Sequence, residues 1–343
     1  MADPPRPTAR TPVVDVHGHT LDLAFRTGRP LNAALGGTTD VPQMRAGGVS
    51  VQLNACWTPD MALSGPHGHS VANPRASLGA MLDYLDTQLG GPAGLDVLVA
   101  RTAGDLRTAA ASGRIAVVLG MEGTDAIGDD PAALANLYDR GLRHVCLVHE
   151  HANVFGGASQ VWVDGEMRRH DPDRSRPEHL TDIGRALLAE IGRLGMLVDL
   201  THLVEPGFWE VLDAYRGPVI VSHGGARVLT DSPRYLTDDQ IRAVAATGGL
   251  IGGSPSPLGP SDEAPGLNLL LETVDHLVRV AGPDHVGIGT DFKDQLGYYP
   301  EPLADISGFD AIRIGLAHHG HPPADVVKIL GGNFVRVFEA VAG

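Results

Sequence analysis

Short apolar or β-branched runs recur along the chain, over 13–17, 49–55, 115–120, 144–149, 196–201, 218–223, 249–252 and 285–289. They are near-continuously apolar rather than alternating, as strands covered on both faces are. Between them lie stretches whose apolar residues return every three or four positions, among them 182–194, 238–246 and 267–280. These read as helices with one buried face. Strand and helix alternating in this way predict an α/β fold with a parallel sheet. Eight units predict a closed (β/α)8 TIM barrel, one domain over residues 12–343. The competing open, doubly wound sheet rarely supplies eight strands in one run. Nor does a Gly-rich phosphate loop follow the first strand, as that fold would have.

The connections are uneven. Residues 155–180 and 292–308 are long, polar and punctuated by glycine and proline. They follow the fourth and eighth strands and so should lie over the C-terminal face, where long loops are usually functional. Val326, Val327, Leu330, Val335 and Phe338 have helical spacing across 323–342, a segment suited to closing the barrel. The Pro-rich residues 1–11 read as a disordered tail with no apolar core of the secretory kind.

Composition narrows the partners. No run approaches the ~20 apolar residues of a membrane span. A formal charge of −15 repels nucleic acid and anionic membranes, leaving a small molecule as the expected ligand. Only two cysteines occur, Cys56 and Cys146, both in strand-like runs. That excludes a disulfide framework and points to a reducing, cytoplasmic setting.

The chemistry gathers where barrel strands end. Strand one ends in His17 and His19, strand three in Glu122, strand four in His149, strand five in His202, strand six in His223 and strand eight in Asp291. Barrel closure would bring these tips together. Imidazoles and carboxylates so clustered are metal-ligand types, with zinc the natural ion for neutral imidazole. Positions two apart on a strand face the same way, so His17 and His19 could share an ion, with Gly18 letting the backbone curl over the rim. His149 is followed by Glu150 and His151, and which of them points inward is open. Asp199, on the opposite parity to His202, reads as structural. His67 and His69 read as loop residues, and His318, His319 and His321 as surface ones.

The series DVHGH, GMEG, LVHEHAN, LGMLVDLTH, PVIVSH and VGIGTDF resembles, in order and spacing from residue 13 to about 338, the renal-type membrane dipeptidase family of zinc peptidases. The resemblance implies a barrel with two zinc ions bridged by Glu122, His17 on the first ion and His202 and His223 on the second. It implies His149 and Arg234 as substrate contacts and Asp291 as the acid beside a bridging water that attacks the amide of a dipeptide. A homodimer is expected on the same ground. Two positions depart: the family usually has His-x-Asp where this chain has His17-x-His19, and commonly an acid where Lys293 stands. A single ion is the alternative that His19 leaves open. The substrate expected is a dipeptide or N-acyl amino acid, with His149 stabilising the oxyanion. A non-hydrolytic tautomerisation or rearrangement in a biosynthetic pathway is the other reading.

Overall fold

The computed structural model describes residues 11–65, 70–90, 96–163, 166–169, 175–256, 264–294 and 297–343. All but Thr11 of the expected tail, and both His67 and His69, lie outside the described residues. Eleven strands are described: β1 (Val14–Gly18), β2 (Val51–Trp57), β3 (Val97–Val99), β4 (Ile115–Glu122), β5 (Leu142–Cys146), β6 (Val161–Val163), β7 (Glu166–Arg168), β8 (Leu197–Asp199), β9 (Val219–Gly224), β10 (Leu250–Gly253) and β11 (Val286–Ile288). Eight form a parallel path in the order β1-β2-β4-β5-β8-β9-β10-β11. They are the eight runs of the sequence, each trimmed or shifted by a few residues.

The path closes at one seam. Gly18 bridges Phe292, the His19 N–H donates to the Phe292 carbonyl (3.1 Å), and the Asp291 N–H donates to the His17 carbonyl (3.0 Å). The architecture is therefore a nearly closed (β/α)8 barrel. Strand alternation divides the buried side chains into two sets. Val14, Val16, Val51, Leu53, Ala116, Val118, Leu197, Ile220 and Leu250 cluster with Phe334, Val337 and Phe338 of the last helix. Val117, Leu119, Met121, Val145, Val198, Val219 and Val221 pack instead with the surrounding helices.

Three features were not legible beforehand. Strand β3, three residues long, pairs with Ile115–Val117 of β4, while β5 pairs with the same strand from Leu119 onward. Three residues are too few to show a period. The loop over 155–180 is not structureless, for β6 and β7 form an antiparallel hairpin with Val161 opposite Arg168. The expected helix over 323–342 is broken into Pro323–Val327, a π-helical turn Lys328–Gly332 and Asn333–Ala342. There Gly331 passes so close to the Pro12 carbonyl that a Cβ would stand 2.0 Å from it.

The helices Asp182–Leu194 and Asp238–Ala246 begin on Thr181 and Thr237, whose side chains accept N–H bonds from Gly184 and Gln240. Both cysteines are buried and free, and burial pushes the Cys56 thiol up to about 12. Among the described residues no helix is long and apolar enough to cross a membrane.

Candidate metal centre

Glu122, the last residue of β4, stands at the centre of the barrel mouth and is 3% exposed. Five imidazoles surround its carboxylate. Its Oε1 lies 3.3 Å from His17 Nε2, 3.1 Å from His202 Nε2, 3.8 Å from His223 Nε2 and 3.9 Å from His149 Nε2, and its Oε2 lies 3.6 Å from His19 Nε2. Asp291 completes the ring, with Oδ1 3.0 Å from His19 Nε2 and 3.9 Å from His17 Nε2. Donor atoms fall into three compact triads: His17, His19 and Glu122; Glu122, His202 and His223; His17, His223 and Asp291. Within each, all ligand atoms lie within 4.8 Å of one another.

The fold holds these groups firmly. Ser222, on β9, places its hydroxyl 3.2 Å from both His17 Nδ1 and His223 Nδ1 and 3.3 Å from Thr201 Oγ1. Thr201 donates in turn to Asp199, which also meets His144 Nε2 at 2.8 Å. Burial alone would raise the Asp199 carboxyl, but His144, Ser222 and Thr201 hold it below the usual range. On the other side Trp57 Nε1 donates to His149 Nδ1 (3.1 Å), which leaves the proton of a neutral His149 on Nε2, aimed at the centre. Arg234, 4% exposed, donates through Nη2 to His223 Nε2 (3.0 Å) and His202 Nε2 (3.3 Å). Accepting from Arg234 puts the His223 Nε2 lone pair on the side of the centre, whereas His202 Nε2 also lies 3.1 Å from Glu122 Oε1, to which it donates in the Nε2–H tautomer. Among the described residues only His202 (φ 67°) and Asp291 (φ 56°) are non-glycine with positive φ. Such backbone is costly and concentrates at functional sites.

Burial and like charge set the protonation. Burial drives the imidazoles down, His202 to about 4 with Arg234 adding to the effect, and His149 and His223 well below their ordinary value. His17 goes the other way: burial opposes its charge, but Glu122 and Asp291 outweigh burial. Burial would likewise raise Glu122 and Asp291. His17 and His149 hold the first well below the glutamate range, and Lys293 and His19 hold the second well below the aspartate range.

Every residue read from the strand ends, His17, His19, Glu122, His149, His202, His223 and Asp291, meets at this centre, and Arg234 joins it. Asp199 lies beneath, as a structural acid should. The ambiguity after β5 resolves with His149 and Glu150 lining the cleft, while His151 turns away to Asp125 (2.9 Å). Gly18 is explained by space rather than by freedom of φ, because a Cβ there would stand 2.3 Å from Gln52 Nε2 and 2.9 Å from Asp15 Oδ2. Sequence reasoning missed Trp57, Ser222 and the roof formed by Trp162, whose indole N–H donates to Glu150. None is a residue type that announces a site, although Ser222 directly precedes a ligand-type histidine. A larger cleft of 520 Å³, lined by Arg169, Arg227 and Asp231 among others, brings no cluster of metal-type donors together among the described residues.

The sequence profile of the family described as membrane dipeptidase, peptidase family M19, matches residues 6–343. The chain belongs to that family. This M19 member is 31% identical over 228 residues to an uncharacterized dipeptidase, C3A11.10c, of Schizosaccharomyces pombe, a match covering 66% of the chain and 53% of the relative. It is 30% identical over 245 residues to the dipeptidase verJ of Clonostachys rogersoniana, covering 71% of the chain and 60% of that relative. The chain thus spans between half and two thirds of the length of these relatives. A solved metallo peptidase from Rhodobacter sphaeroides, which holds a phosphinate mimic of the dipeptide L-Ala-D-Ala, superposes with a TM-score of 0.82 at 28% identity, over 97% of this chain and 99% of that one.

The donor set of the M19 member fits the metal its family implies. His17 Nε2 is buried without a hydrogen-bond partner although it stands 3.3 Å from Glu122 Oε1. A neutral imidazole lone pair facing a carboxylate oxygen at that distance is repulsive unless a proton or cation lies between them.

Proposed function

We propose that this protein is a metal-dependent hydrolase that cleaves the amide bond of dipeptides or dipeptide-like N-acyl amino acids. The convergence of five imidazoles and Asp291 on the buried carboxylate of Glu122 carries the reading, and membership of the M19 family supports it. His17 and His19 would hold a first ion, His202 and His223 a second, and Glu122 would bridge them, with zinc suited to this donor set. Such ions, when bound, polarise a scissile carbonyl and acidify water.

The chain's own residues supply the rest. Asp291 takes the proton of the attacking water and returns it to the leaving nitrogen. His149, neutral and protonated on Nε2, donates to the oxyanion of the tetrahedral intermediate. Arg234 pairs with the substrate carboxylate. Two buried thiols held as free thiols suit a reducing, cytoplasmic setting.

The test is Glu122→Gln, assayed on a dipeptide panel with added Zn²⁺ and by elemental analysis. We expect activity to fall more than a hundredfold and bound zinc to fall below the wild-type content. Activity within tenfold of wild type would sink this role for the glutamate. A second reading, a tautomerisation or rearrangement, is favoured by Lys293, which sits 3.6 Å from Asp291 Oδ2 and keeps that base ionised. The same panel separates the two, since a non-hydrolytic enzyme releases no free amino acid.

A further inference from the structure

Above the centre lies a cleft of about 260 Å³ with two cationic side chains in its lining, Arg234 and Lys293. They contact different members of the ring around Glu122. Arg234 rests on His202 and His223, whereas Lys293 faces Asp291, whose other oxygen meets His19. The proposed hydrolysis gives the first cation a substrate contact and the second none.

Lys293 is held in place by its backbone. Its N–H donates to Thr38 Oγ1 (2.9 Å), and its carbonyl accepts from the Thr38 N–H (2.7 Å) and Oγ1 (3.1 Å). Gly37 packs so tightly there that a Cβ would stand 2.3 Å from the Lys293 carbonyl oxygen. The ammonium lies 5.5 Å from the centre of the Trp57 ring, within cation–π range. Its 3.6 Å separation from Asp291 Oδ2 is too long for a hydrogen bond. Among the described residues Nζ has no hydrogen-bond acceptor, although a lysine carries three donors. The side chain is 19% exposed, unlike the buried Arg234. Glu150, the remaining acid of the cleft, accepts from Trp162. Burial pushes its pKa up to about 7, so it is a weak counter-charge.

We propose that Arg234 and Lys293 are the two anionic-group anchors of one substrate site, and that the substrate is an N-acyl amino acid bearing a second carboxylate on its acyl half. Arg234 takes the amino-acid carboxylate, Lys293 takes the acyl carboxylate, and the amide lies over Glu122 between them. This rests on the hydrolase reading for its chemistry. The water oxygen bonds to the acyl carbon, the C–N bond breaks, and a proton passes to the leaving nitrogen, releasing a dicarboxylic acid and an amino acid. A free α-ammonium in the acyl half would meet Lys293 as a like charge.

The experiment compares N-succinylalanine, N-acetylalanine and alanylalanine, both enantiomers of each, by calorimetric binding to the zinc-loaded protein and by hydrolysis. A charge-assisted contact in a partly buried cleft corresponds to about a 30-fold preference for the succinyl compound over the acetyl one. Lys293→Gln should remove that preference by weakening succinylalanine alone, and Lys293→Arg should retain most of it. Equal binding of all three by the wild type, or a preference for alanylalanine, overturns the proposal whether or not any variant folds. So does a Lys293→Gln variant that weakens both acyl compounds alike, because the lysine would then act only through Asp291. Preferential binding of succinylalanine without cleavage sinks the hydrolase reading and leaves the two-anchor site standing. Cleavage of N-acetylalanine with no succinyl preference does the reverse.

Discussion

Ser222→Ala is the most informative single substitution at this centre. One hydroxyl serves an imidazole from each proposed ion site, His17 Nδ1 and His223 Nδ1, both at 3.2 Å. In the tautomer whose Nε2 lone pairs face the centre, both Nδ1–H groups donate to Ser222 Oγ, whose own hydrogen goes to Thr201 Oγ1 at 3.3 Å. Removing the hydroxyl strands two donors at a site with no exposure. At roughly 1–2 kcal/mol for each buried donor left unpaired, the loss in stability is about 3 kcal/mol. The imidazoles also lose the bond that orients them, an effect worth about 10–100-fold in metal affinity. Urea denaturation of chelated protein measures the first, and competition with a zinc-binding dye measures the second. Thr201→Val is the control, since it removes the acceptor of the serine hydrogen but leaves both imidazole bonds. Its zinc affinity should stay within about threefold of wild type. A Ser222→Ala protein that binds zinc as tightly as wild type would refute the argument.

Two further outcomes follow from burial and close packing. Glu150 has its pKa raised from 4.5 to about 7, so the folded state holds a proton that the unfolded chain has released. The contribution to stability is therefore intact below about pH 4.5 and declines as pH rises to 7, by about 3 kcal/mol. Glu150→Gln in chelated protein should flatten that part of the stability–pH curve, and an unchanged slope would contradict it. Gly18→Ala places a Cβ 2.3 Å from Gln52 Nε2 and should cost about 1–3 kcal/mol. Thermal unfolding at wild-type temperature would show that Gln52 can move aside.

What the sequence determined is the alternation and its punctuation. Eight apolar runs, each too uniform for a one-sided sheet, require cover on both faces, and the amphipathic stretches between them supply it. A histidine or acid directly after such a run can only sit at the rim, because a strand end has nowhere else to put it. That is why His17, His202, His223, Glu122 and Asp291 were legible from local pattern alone. Residues whose role comes from a distant neighbour were not. Trp57 matters through His149, 92 positions away, and Ser222 through His17, 205 positions away. Strand β3 exists because the edge of β4 beside Ile115–Val117 lies free below the start of β5, a vacancy that only the register of the sheet creates. Closure itself belongs to tertiary structure: β1 and β11 are joined at Gly18 and Phe292, and that seam carries His17, His19, Asp291 and Lys293 to one side of Glu122. Local pattern decides which residues stand at strand tips. Strand tilt and register decide which tips face one another, because hydrogen-bond pairing between strands far apart in the chain leaves no trace in the order of residues along any one of them.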